Sequence, residues 1–338
     1  LNFSPSSSAC IKWVIKSSAG LFLFSLTVFI GLRHEVGGDW DIYLYDFNKN
    51  LEYFNIWEFA YVRDFGYEFL SYICYNLGIG IHGLNFLCAV FFVYVLNEFS
   101  KHISSNVWLT FVISFPYIII VVFMGFTRQG IAMSFILLSL IAIKDKKLFY
   151  YTCFTFLALL FHKSAAIIIP IIFLTFFHIN IKKLIVFLIL VFFSYLLIYP
   201  EISRITAGYL SNNSKYVSNG VYYRLFLNIL SGFIFIIFYK HIKFNNNFDK
   251  LIILIFVLNL ILTYFSFSYS TLVDRIIIYF TFIQLIVLSR IYLINPKYTI
   301  YFNFIVILIY LSLFVIWLNF SNHSYAWIPY KNILLNHH

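Results

Sequence analysis

Charge is scarce in this sequence of 338 residues: 11% of them are Asp, Glu, Lys or Arg, while 62% are hydrophobic. Soluble domains carry roughly 25% charged residues, so the composition excludes a soluble globule. The high hydrophobicity also excludes a disordered chain, and four cysteines are too few for a disulfide scaffold of this length. What the chain does have is a series of long apolar runs, which is typical of a protein that crosses a membrane many times.

Acidic residues are scarcer than basic ones, 13 against 23, and the formal net charge is +10. In a soluble protein this balance indicates nucleic acid as a partner. Here the basic residues lie in short loops between apolar runs, where they orient a chain in a bilayer, so we expect no nucleic-acid partner. The cysteines lack CxxC spacing and are interpreted as small buried hydrophobic residues.

Eleven apolar runs come close to the roughly 20 residues that a helix needs to cross about 30 Å of hydrocarbon. We therefore predict an all-α polytopic membrane protein in which residues 1–338 form a single integral membrane domain. The first run follows Lys12 and Lys16 without a small-residue cleavage site, so we expect an uncleaved span there. The predicted spans are 11–32, 82–99, 107–125, 128–143, 148–162, 164–180, 184–200, 222–239, 250–267, 275–291 and 298–320.

The basic residues decide the orientation of these spans. Residues 65–81 are also apolar, but a span there would separate Lys12 and Lys16 from the lysines of 144–147 by placing them on opposite sides. We therefore predict that residues 33–81 form one external loop, with the N-terminus cytoplasmic and the C-terminus external. Within the loop, the spacing of apolar residues predicts two amphipathic, membrane-lying helices, Leu51–Tyr61 and Phe65–Leu77.

A second long external segment covers residues 200–222 and is rich in Ser and Asn. Its polar composition suits a lid or a loop that contacts sugars. A solvated connector is the alternative, and the sequence does not choose between them.

The two basic residue types divide between the predicted faces. Six of the seven arginines are external, while twelve of the sixteen lysines are internal. Lysine suffices for topology, whereas the planar fork of arginine suits bidentate binding of phosphate or carboxylate, so the external arginines favour a function in anion binding. The alternative is simple pairing with neighbouring carboxylates: Arg33 with Glu35, Arg63 with Asp64, and Arg204 with Glu201.

Three central spans are short, and their external ends carry Arg128, His162 and Lys163. A helix of about 15 residues covers roughly 23 Å, so these ends should lie below the head groups. Ionisable groups at such depth face a water-filled cavity or a partner, which predicts a polar cavity in the external half of the membrane. The alternative is that Arg128 and Lys163 snorkel to the interface.

Eight of the 13 acidic residues lie in the first external loop. There Gly37 and Gly38 allow a tight turn that holds Asp39 close to the membrane. Asp39 and Asp41 form a D-x-D pair, which can bind a divalent cation through its oxygens. Such a pair also arises readily in an acidic loop.

Two late segments add further candidates. Arg275 and Tyr279 lie one helical turn apart on the same face, an arrangement that suits an anionic ligand, whereas the adjacent Asp274 and Arg275 do not face one another. The tail carries Trp327 and Tyr330 and is expected to anchor the chain at the membrane interface.

The order of several short motifs resembles a known family. In sequence order they are Arg33 with Gly37-Gly38-Asp39-Trp40, Gly66-Tyr67-Glu68-Phe69-Leu70, Arg128-Gln129-Gly130-Ile131-Ala132, Phe161-His162-Lys163-Ser164-Ala165, Asp274-Arg275 with Tyr279, and Trp327-Ile328-Pro329-Tyr330. Over residues 30–330 the chain is similar to the EpsG-like branch of Wzy-type polysaccharide polymerases. This resemblance implies a GT-C-like glycosyltransferase architecture whose first periplasmic loop carries membrane-lying helices.

The resemblance also implies a reaction, in which a growing glycan moves from undecaprenyl diphosphate to an incoming repeat unit on undecaprenyl diphosphate, at the periplasmic face of the inner membrane. Cations must neutralise the leaving diphosphate, and a base must activate the attacking hydroxyl. The candidates for the diphosphates are Arg33, Arg128, Arg275, Lys163 and Arg224. The candidates for the base are His162, Asp39 and Glu68, with His162 ranked first because imidazole titrates near neutral pH. Substrate contacts are expected from Tyr43 and Tyr279.

We expect no cofactor, and the alternative is a divalent cation at Asp39 and Asp41. The partners implied are an undecaprenyl-diphosphate-linked oligosaccharide, membrane lipid and a chain-length regulator protein. Two other functions stay open. An O-antigen ligase shares the leaving group, and a flippase or transporter also needs basic residues and many spans. The one-sided placement of ionisable groups and the odd number of spans speak against a transporter.

Overall fold

The protein is helical in the part of the chain that the structure, a computed structural model, describes: residues 5–49, 64–104, 106–176, 180–210, 218 and 220–335. Apart from helices and turns, these residues form an isolated bridge between Arg33 and Asn332, so the predicted all-α fold is confirmed. The first helices are α1 (Pro5–Gly31), α2 (Trp40–Lys49), α3 (Phe65–Asn76), α4 (Gly80–Ile103), α5 (Val107–Ser114) with its π-helical continuation Phe115–Phe123, α6 (Thr127–Lys144) and α7 (Leu148–Phe161). After a 3-10 turn, Lys163–Ile167, follow α8 (Ile168–Phe176), α9 (Ile181–Leu210), α10 (Val221–Ile237), α11 (Tyr239–Ile242), α12 (Asn246–Ser266), α13 (Ser270–Ile277), α14 (Phe282–Leu288) and α15 (Thr299–Phe320).

Several of these helices are apolar enough to cross a membrane. Within the described residues, five are also long enough: Gly80–Ile103, Thr127–Lys144, Ile181–Pro200, Asn246–Ser266 and Pro296–Phe320. A pair bent by 43°, Ser270–Phe280 with Phe282–Ile294, makes six if it forms one span. Shorter apolar helices lie at Ser17–Gly31, Val107–Phe123, Leu148–Phe161, Lys163–Phe176 and Val221–Ile237. Every predicted span coincides with one of these segments. The chain is thus a multi-pass membrane protein, and the count of eleven crossings stays a prediction.

Helix α7 ends early, at a contact with the first loop. It has 14 residues and stops where His162 takes an extended conformation, with φ −162° and ψ 120°. The amide N–H of Lys163 donates to the carboxylate of Asp64 at 3.2 Å instead of continuing the helix. The break places the His162 side chain at a helix end, beside the first loop.

Contacts between distant segments gather one set of helix ends at a common face. Arg33 lies 2.9 Å from Thr127, Arg128 lies 2.8 Å from Asp46, and His162 lies 2.8 Å from Asp64. We name this the loop face, because it carries the segment 33–81. All of these ends are predicted to be external.

The opposite helix ends meet at a second face. The Asn245 side chain donates to the carbonyl of Lys144 at 3.0 Å, and Arg290 donates to the carbonyl of Ile103 at 3.4 Å. We name this the lysine face, after the lysines of residues 101–147 and 240–250. These ends are predicted to be internal, so tertiary contacts sort the helix ends as the charge pattern does.

Buried amides hold the later helices together between the two faces. Tyr310 donates to Gln284 at 2.5 Å, Gln284 donates to Asn228 at 2.7 Å, and Asn228 donates to Asn259 at 2.9 Å. These side chains come from α15, α14, α10 and α12, respectively. Hydrogen bonds of this kind stabilise helix packing in an apolar surrounding.

The C-terminal segment packs against the loop face. The carbonyl of Lys331 accepts the amide N–H of His34 at 3.0 Å, and the indole N–H of Trp327 donates to the carbonyl of Ile120 at 2.8 Å. Because only 7% of Trp327 is exposed, the prediction that it anchors the tail at the membrane interface is wrong. Its ring instead fills a space beside Gly125, where a Cβ would lie 2.6 Å from the indole.

The predicted turn at Gly37 is confirmed, and its geometry requires glycine. Gly37 has φ +115°, and a Cβ there would lie 2.2 Å from the carbonyl oxygen of Met124. Its amide N–H donates to the carbonyl of Ala326 at 2.7 Å. The turn leads directly into α2, a helix that the sequence analysis did not predict.

The structure describes only part of the two predicted external loops. The helix predicted at Phe65–Leu77 is α3, whose buried residues pack against protein, while Leu51–Tyr61 lies outside the described residues. Helix α9 continues through Pro200 to Leu210, while its candidate membrane span is Ile181–Pro200, so the start of the second loop at residue 200 stays a prediction. Residues 211–217 and 219 lie outside the described part of the chain, so their predicted role as a lid stays untested.

Candidate functional site

The guanidinium of Arg128 is the centre of a group of side chains at the loop face. Its Nη2 lies 2.8 Å from Asp46 Oδ2 and 3.4 Å from Glu68 Oε1. The rings of Tyr43 and Tyr67 lie 5.1 Å and 5.2 Å from the guanidinium carbon, close enough for cation–π attraction. Arg128 lies in the first turn of α6, and its partners come from α2 and α3. The first loop therefore folds onto this arginine.

This placement decides between the two interpretations of Arg128. Only 17% of its side chain is exposed, and it points to carboxylates of the protein rather than outward. The alternative that Arg128 snorkels to the interface is wrong. The Nε of Arg128 is buried and has no hydrogen-bond partner among the described residues.

His162 and Asp64 form a second pair beside Arg128. The Nδ1 of His162 lies 2.8 Å from Asp64 Oδ2, and 17% of the imidazole side chain is exposed. Because Nδ1 is engaged, Nε2 is the nitrogen left to face a ligand. This orientation of an imidazole by a carboxylate is the arrangement that general bases use in many enzymes.

The charges around Asp64 act on its pKa. Burial alone raises the pKa of this carboxyl, but the imidazole of His162 and the guanidinium of Arg128 outweigh burial and hold the pKa below its ordinary value. Asp64 is therefore a carboxylate at neutral pH. Together, Asp46, Asp64, Glu68, Arg128 and His162 make up what we name the ionic cluster.

A second buried arginine lies nearby on the same face. Arg224 Nε donates to Asp274 Oδ1 at 2.7 Å, and its guanidinium lies 4.6 Å from the ring of Tyr117. Ser218 donates to Asp274 Oδ2 at 2.8 Å and accepts from Arg224 at 3.2 Å. Asp274 thus pairs with Arg224, a partner that the sequence pattern did not indicate.

Two polar contacts join the segment that follows Asp274 to the elements that carry Arg128 and His162. Gln129, next to Arg128, donates to the backbone carbonyl of Arg275 at 3.0 Å. Ser164, two residues after His162, lies 3.1 Å from the hydroxyl of Tyr279. Tyr279 is fully buried, so it is placed to hold helices together and is not exposed to a substrate.

Arg33 differs from the other arginines. It is 1% exposed, and its nitrogens donate to the carbonyls of Ile30 and Val36 and to the side chains of Asn85 and Thr127 at 2.8–3.3 Å. This geometry corrects its assignment as a diphosphate ligand: its donors hold the end of α1 in place.

The alternative pairings of the external arginines also change. Glu35 contacts Lys331 and not Arg33, so that predicted pair is wrong. Asp64 pairs with His162, while Arg63 lies outside the described residues. The structure does not describe the side chains of Arg204 and Glu201, so their pairing stays a prediction.

The remaining candidates have different surroundings. Glu68 is 2% exposed and faces Arg128. Lys163 lies at the break after His162 and is half-buried. Asp39 is half-buried and Asp41 is exposed. Among the described residues no three His, Cys, Asp or Glu side chains are grouped as metal ligands would be, so a cation at Asp39 and Asp41 stays an untested alternative.

An apolar groove of about 210 Å³ opens beside the ionic cluster. It lies between α3, α4, α6 and α7 and is lined by Leu70, Leu87, Cys88, Phe91, Ile131, Phe135 and Phe161. Phe161 is adjacent to His162, and Ile131 lies one helical turn from Arg128. Cys88 in this wall is a buried free thiol, as is Cys74, which confirms their interpretation as small buried residues.

Asp46 and Asp64 were not predicted as members of this site. Asp64 directly precedes the predicted helix at 65–77, and Asp46 lies one turn after Tyr43, so both positions carried a local signal. Neither position indicates which residue the carboxylate pairs with. The partners Arg128 and His162 are 82 and 98 residues away, and only the fold brings them together.

The fold and this face define a class of protein: a helical, multi-pass membrane protein with buried arginine–carboxylate pairs and an oriented imidazole next to an apolar groove. Residues 19–332 match the EpsG family, and the chain belongs to it. Membership favours a role like that of a polysaccharide polymerase. No curated protein and no solved structure matches the chain.

Proposed function

We propose that the protein polymerises a surface polysaccharide by transferring the growing glycan from undecaprenyl diphosphate to an incoming repeat unit on the same lipid carrier. The observation that carries this proposal is the ionic cluster beside the apolar groove. A lipid-linked sugar diphosphate needs a cation for the diphosphate, a base for the acceptor and an apolar surface for the prenyl chain. These three features meet at the start of α6 and the end of α7.

In the proposed step, His162 acts as the general base. Its Nε2 takes the proton from the acceptor hydroxyl as the oxygen bonds to the anomeric carbon of the donor glycan. The bond from that carbon to the diphosphate oxygen breaks, and undecaprenyl diphosphate leaves with the electron pair. Asp64 holds the ring through Nδ1 and stabilises the imidazolium that forms. Asp39 and Glu68 are the other candidate bases, but Glu68 is enclosed against Arg128.

Arg128 stabilises the negative charge that develops on the leaving diphosphate. Its partners Asp46 and Glu68 hold the guanidinium in position, so little reorganisation is needed when the charge appears. Arg224 provides a second cation in a separate pair with Asp274. Because polymerisation brings two lipid diphosphates to one site, two guanidiniums on adjoining elements suit a donor and an acceptor position.

The chemistry of the lipid carrier supports the apolar groove as the binding site for the prenyl chain. Prenyl chains are apolar, and the groove wall is made of aliphatic and aromatic side chains plus Cys88. A prenyl chain that lies in the groove would have its diphosphate toward Arg128. We propose that the same face is periplasmic, with the N-terminus cytoplasmic and the C-terminus periplasmic in the inner membrane, and that the architecture is GT-C-like.

The deciding experiment is reconstitution of the purified protein with one lipid-linked repeat unit, with the products separated by size. A ladder of longer lipid-linked glycans, formed with and without a chelator, is the expected result. If the ladder disappears with the chelator, neutralisation of the diphosphate would instead be assigned to a metal at Asp39 and Asp41. A chain-length regulator, if added, is expected to change the length distribution and not the presence of the ladder.

Other outcomes would replace the proposal. Transfer of glycan only when lipid A core is supplied identifies a ligase. Movement of the substrate between leaflets without elongation identifies a transporter.

A further inference from the structure

The inner end of α4 is held by two cations from distant parts of the chain. The Nζ of Lys144 donates to the backbone carbonyl of His102. Arg290 Nη1 donates to the carbonyl of Ile103 at 3.4 Å. The last carbonyls of a helix have no partners within it, and basic side chains often cap them. Two cations at one helix end, however, leave more positive charge than the cap requires.

The nearby carboxylates do not neutralise this charge. Glu98 pairs with Lys101 at 2.9 Å, and Asp145 pairs with Lys147 at 3.4 Å. Asp249 accepts the hydroxyl of Tyr239 at 3.0 Å and the amide of Phe244 at 2.8 Å. Among the described residues, neither Lys144 nor Arg290 makes an ion pair with a carboxylate; Asp145 and Asp249 attract them only from a longer distance, and the two cations repel one another.

The guanidinium of Arg290 is held in orientation, but not all of its N–H donors have acceptors. It lies 3.8 Å from the ring of Phe244, a contact that orients its plane. Its Nε is buried and has no acceptor among the described residues. Arg290 and Lys144 are each half-buried, so an anion can reach them from the surface.

We propose that Lys144 and Arg290 bind the phosphate of an anionic phospholipid head group at the lysine face. Phosphate oxygens supply the acceptors and the negative charge that both side chains lack, and basic pockets between membrane helices are suited to such head groups. The site lies at the opposite face from the ionic cluster, so it goes beyond the proposed polymerase function and does not depend on it.

The surroundings favour a lipid over free phosphate as the source of this anion. The segment after Arg290 leads into α15, whose first turns expose Ile300, Tyr301 and Phe304 by 80%, 67% and 62%. This apolar surface begins ten residues after Arg290 in the sequence, and the acyl chains of a bound lipid would run along it. A lipid whose head group occupies the site would then have its acyl chains along the exposed side chains of α15.

The test measures the thermal stability of the whole protein in neutral detergent with phosphatidylglycerol, phosphatidylcholine or inorganic phosphate added. Phosphatidylglycerol is expected to raise the Tm, and phosphatidylcholine is not. The double variant Lys144→Gln with Arg290→Gln should bind phosphatidylglycerol at least about fivefold more weakly for each cation removed. The matched control, Lys101→Gln with Lys147→Gln, removes the same charge from the same face and should keep the response.

Each outcome decides the proposal. Equal shifts with phosphatidylcholine, or an unchanged response in the double variant, would overturn it. A shift with inorganic phosphate as large as that with the lipid would support the anion site and exclude a lipid as its source. If the double variant does not fold, Arg290→Lys keeps the charge but removes the fork. Native mass spectrometry should then show fewer bound anionic lipids than in the wild type, and an equal number would remove Arg290 from the site.

Discussion

The two faces of this protein use the same charged residue types in different ways. At the loop face, the buried arginines Arg128 and Arg224 pair with carboxylates that lie 82 and 50 residues away. At the lysine face, the ion pairs are local, as between Lys101 and Glu98 three residues apart, and the long-range partners of Lys144 and Arg290 are backbone carbonyls. Surface pairs between neighbours contribute little to stability, whereas buried pairs between distant elements cost desolvation.

This difference between the two faces indicates which face carries out the chemistry. A buried ion pair is weak evidence for stability, because apolar side chains of similar volume often stabilise a protein as well. The loop face keeps several such groups together with an oriented imidazole, which favours a role in chemistry. The lysine face keeps charges whose placement follows from topology, apart from the two that we assign to a lipid head group.

The largest effect is expected from His162→Ala. Loss of a positioned general base lowers a rate by about 10²–10⁴-fold, so elongation of a lipid-linked repeat should fall below detection in the size-resolved assay. Because the change also leaves Asp64 without its partner, the Tm of the variant is measured alongside its activity. A variant of normal Tm that still makes a full ladder would remove His162 from the site.

A matched substitution at the two faces tests the comparison directly. Arg128→Gln should lower the elongation rate by about 10²–10³-fold, as expected when a donor to a developing charge is removed. Lys297→Gln, an equal loss of charge on the predicted internal side, should leave elongation unchanged. Equal losses in both variants would mean that total charge and not the loop-face arginine controls the rate.

Asp64→Asn sharpens the role of the pair with His162. We expect the rate to fall about tenfold or more, because the imidazole loses its orienting carboxylate, and the pH profile of elongation should shift. The pKa of Asp64 is lowered in the folded protein, so its stabilising contribution is present above its ordinary pKa of about 3.9 and is lost as the pH falls through the lowered value.

The control for Asp64 compares Tm values across pH. The difference in Tm between wild type and Asp64→Asn should shrink toward zero below about pH 4. A difference that grows on acidification would mean that Asp64 is protonated in the folded state and does not hold His162 as a carboxylate.

Two adjacent glycines test the backbone that shapes the loop face. Gly37→Ala should destabilise the protein by about 2–4 kcal/mol, because the residue has φ +115° and its Cβ would meet Met124 at 2.2 Å. Gly38→Ala should cost far less, since its Cβ would lie 3.5 Å from Trp327. Thermal unfolding in detergent measures both, and equal losses would contradict the close approach at Gly37.

The smallest effect is expected at an exposed pair on the same face. Lys331→Gln removes the partner of Glu35, whose pKa is lowered by its hydrogen bond to this lysine and by the lysine charge. Both side chains are largely exposed, 41% and 52%, so Tm and elongation should stay unchanged at neutral pH. A strong loss of activity would show that loop-face charge matters without burial.

Much of the fold followed from local patterns. The apolar runs predicted helices at the positions where α1, α4, α6 and α12 lie, and the charge pattern predicted which helix ends meet. Helix α2 was missed because Trp40–Lys49 mixes charged and aromatic residues without a clean apolar stripe. The break at His162 was predicted as the boundary between the spans 148–162 and 164–180, whereas the π-helical continuation at Phe115–Phe123 was missed.

The candidate site was predicted in part. Arg128 and His162 were singled out because short spans place their charges at depth. Arg33 was chosen as an external arginine in the family-like motif order, but the structure gives its donors to Asn85, Thr127 and backbone carbonyls instead. A list of charged residues cannot separate these cases, because the difference lies in which groups surround each guanidinium.

By itself, the sequence determined that this chain is helical and multi-pass and which of its charges belong on the same face, because hydrophobic length and charge act locally along a chain. Only the tertiary structure decided that Asp64 orients His162, that Asp46 and Glu68 hold Arg128, and that Trp327 packs inside. Those outcomes depend on pairings across 60 or more residues, which packing geometry selects and no local pattern encodes.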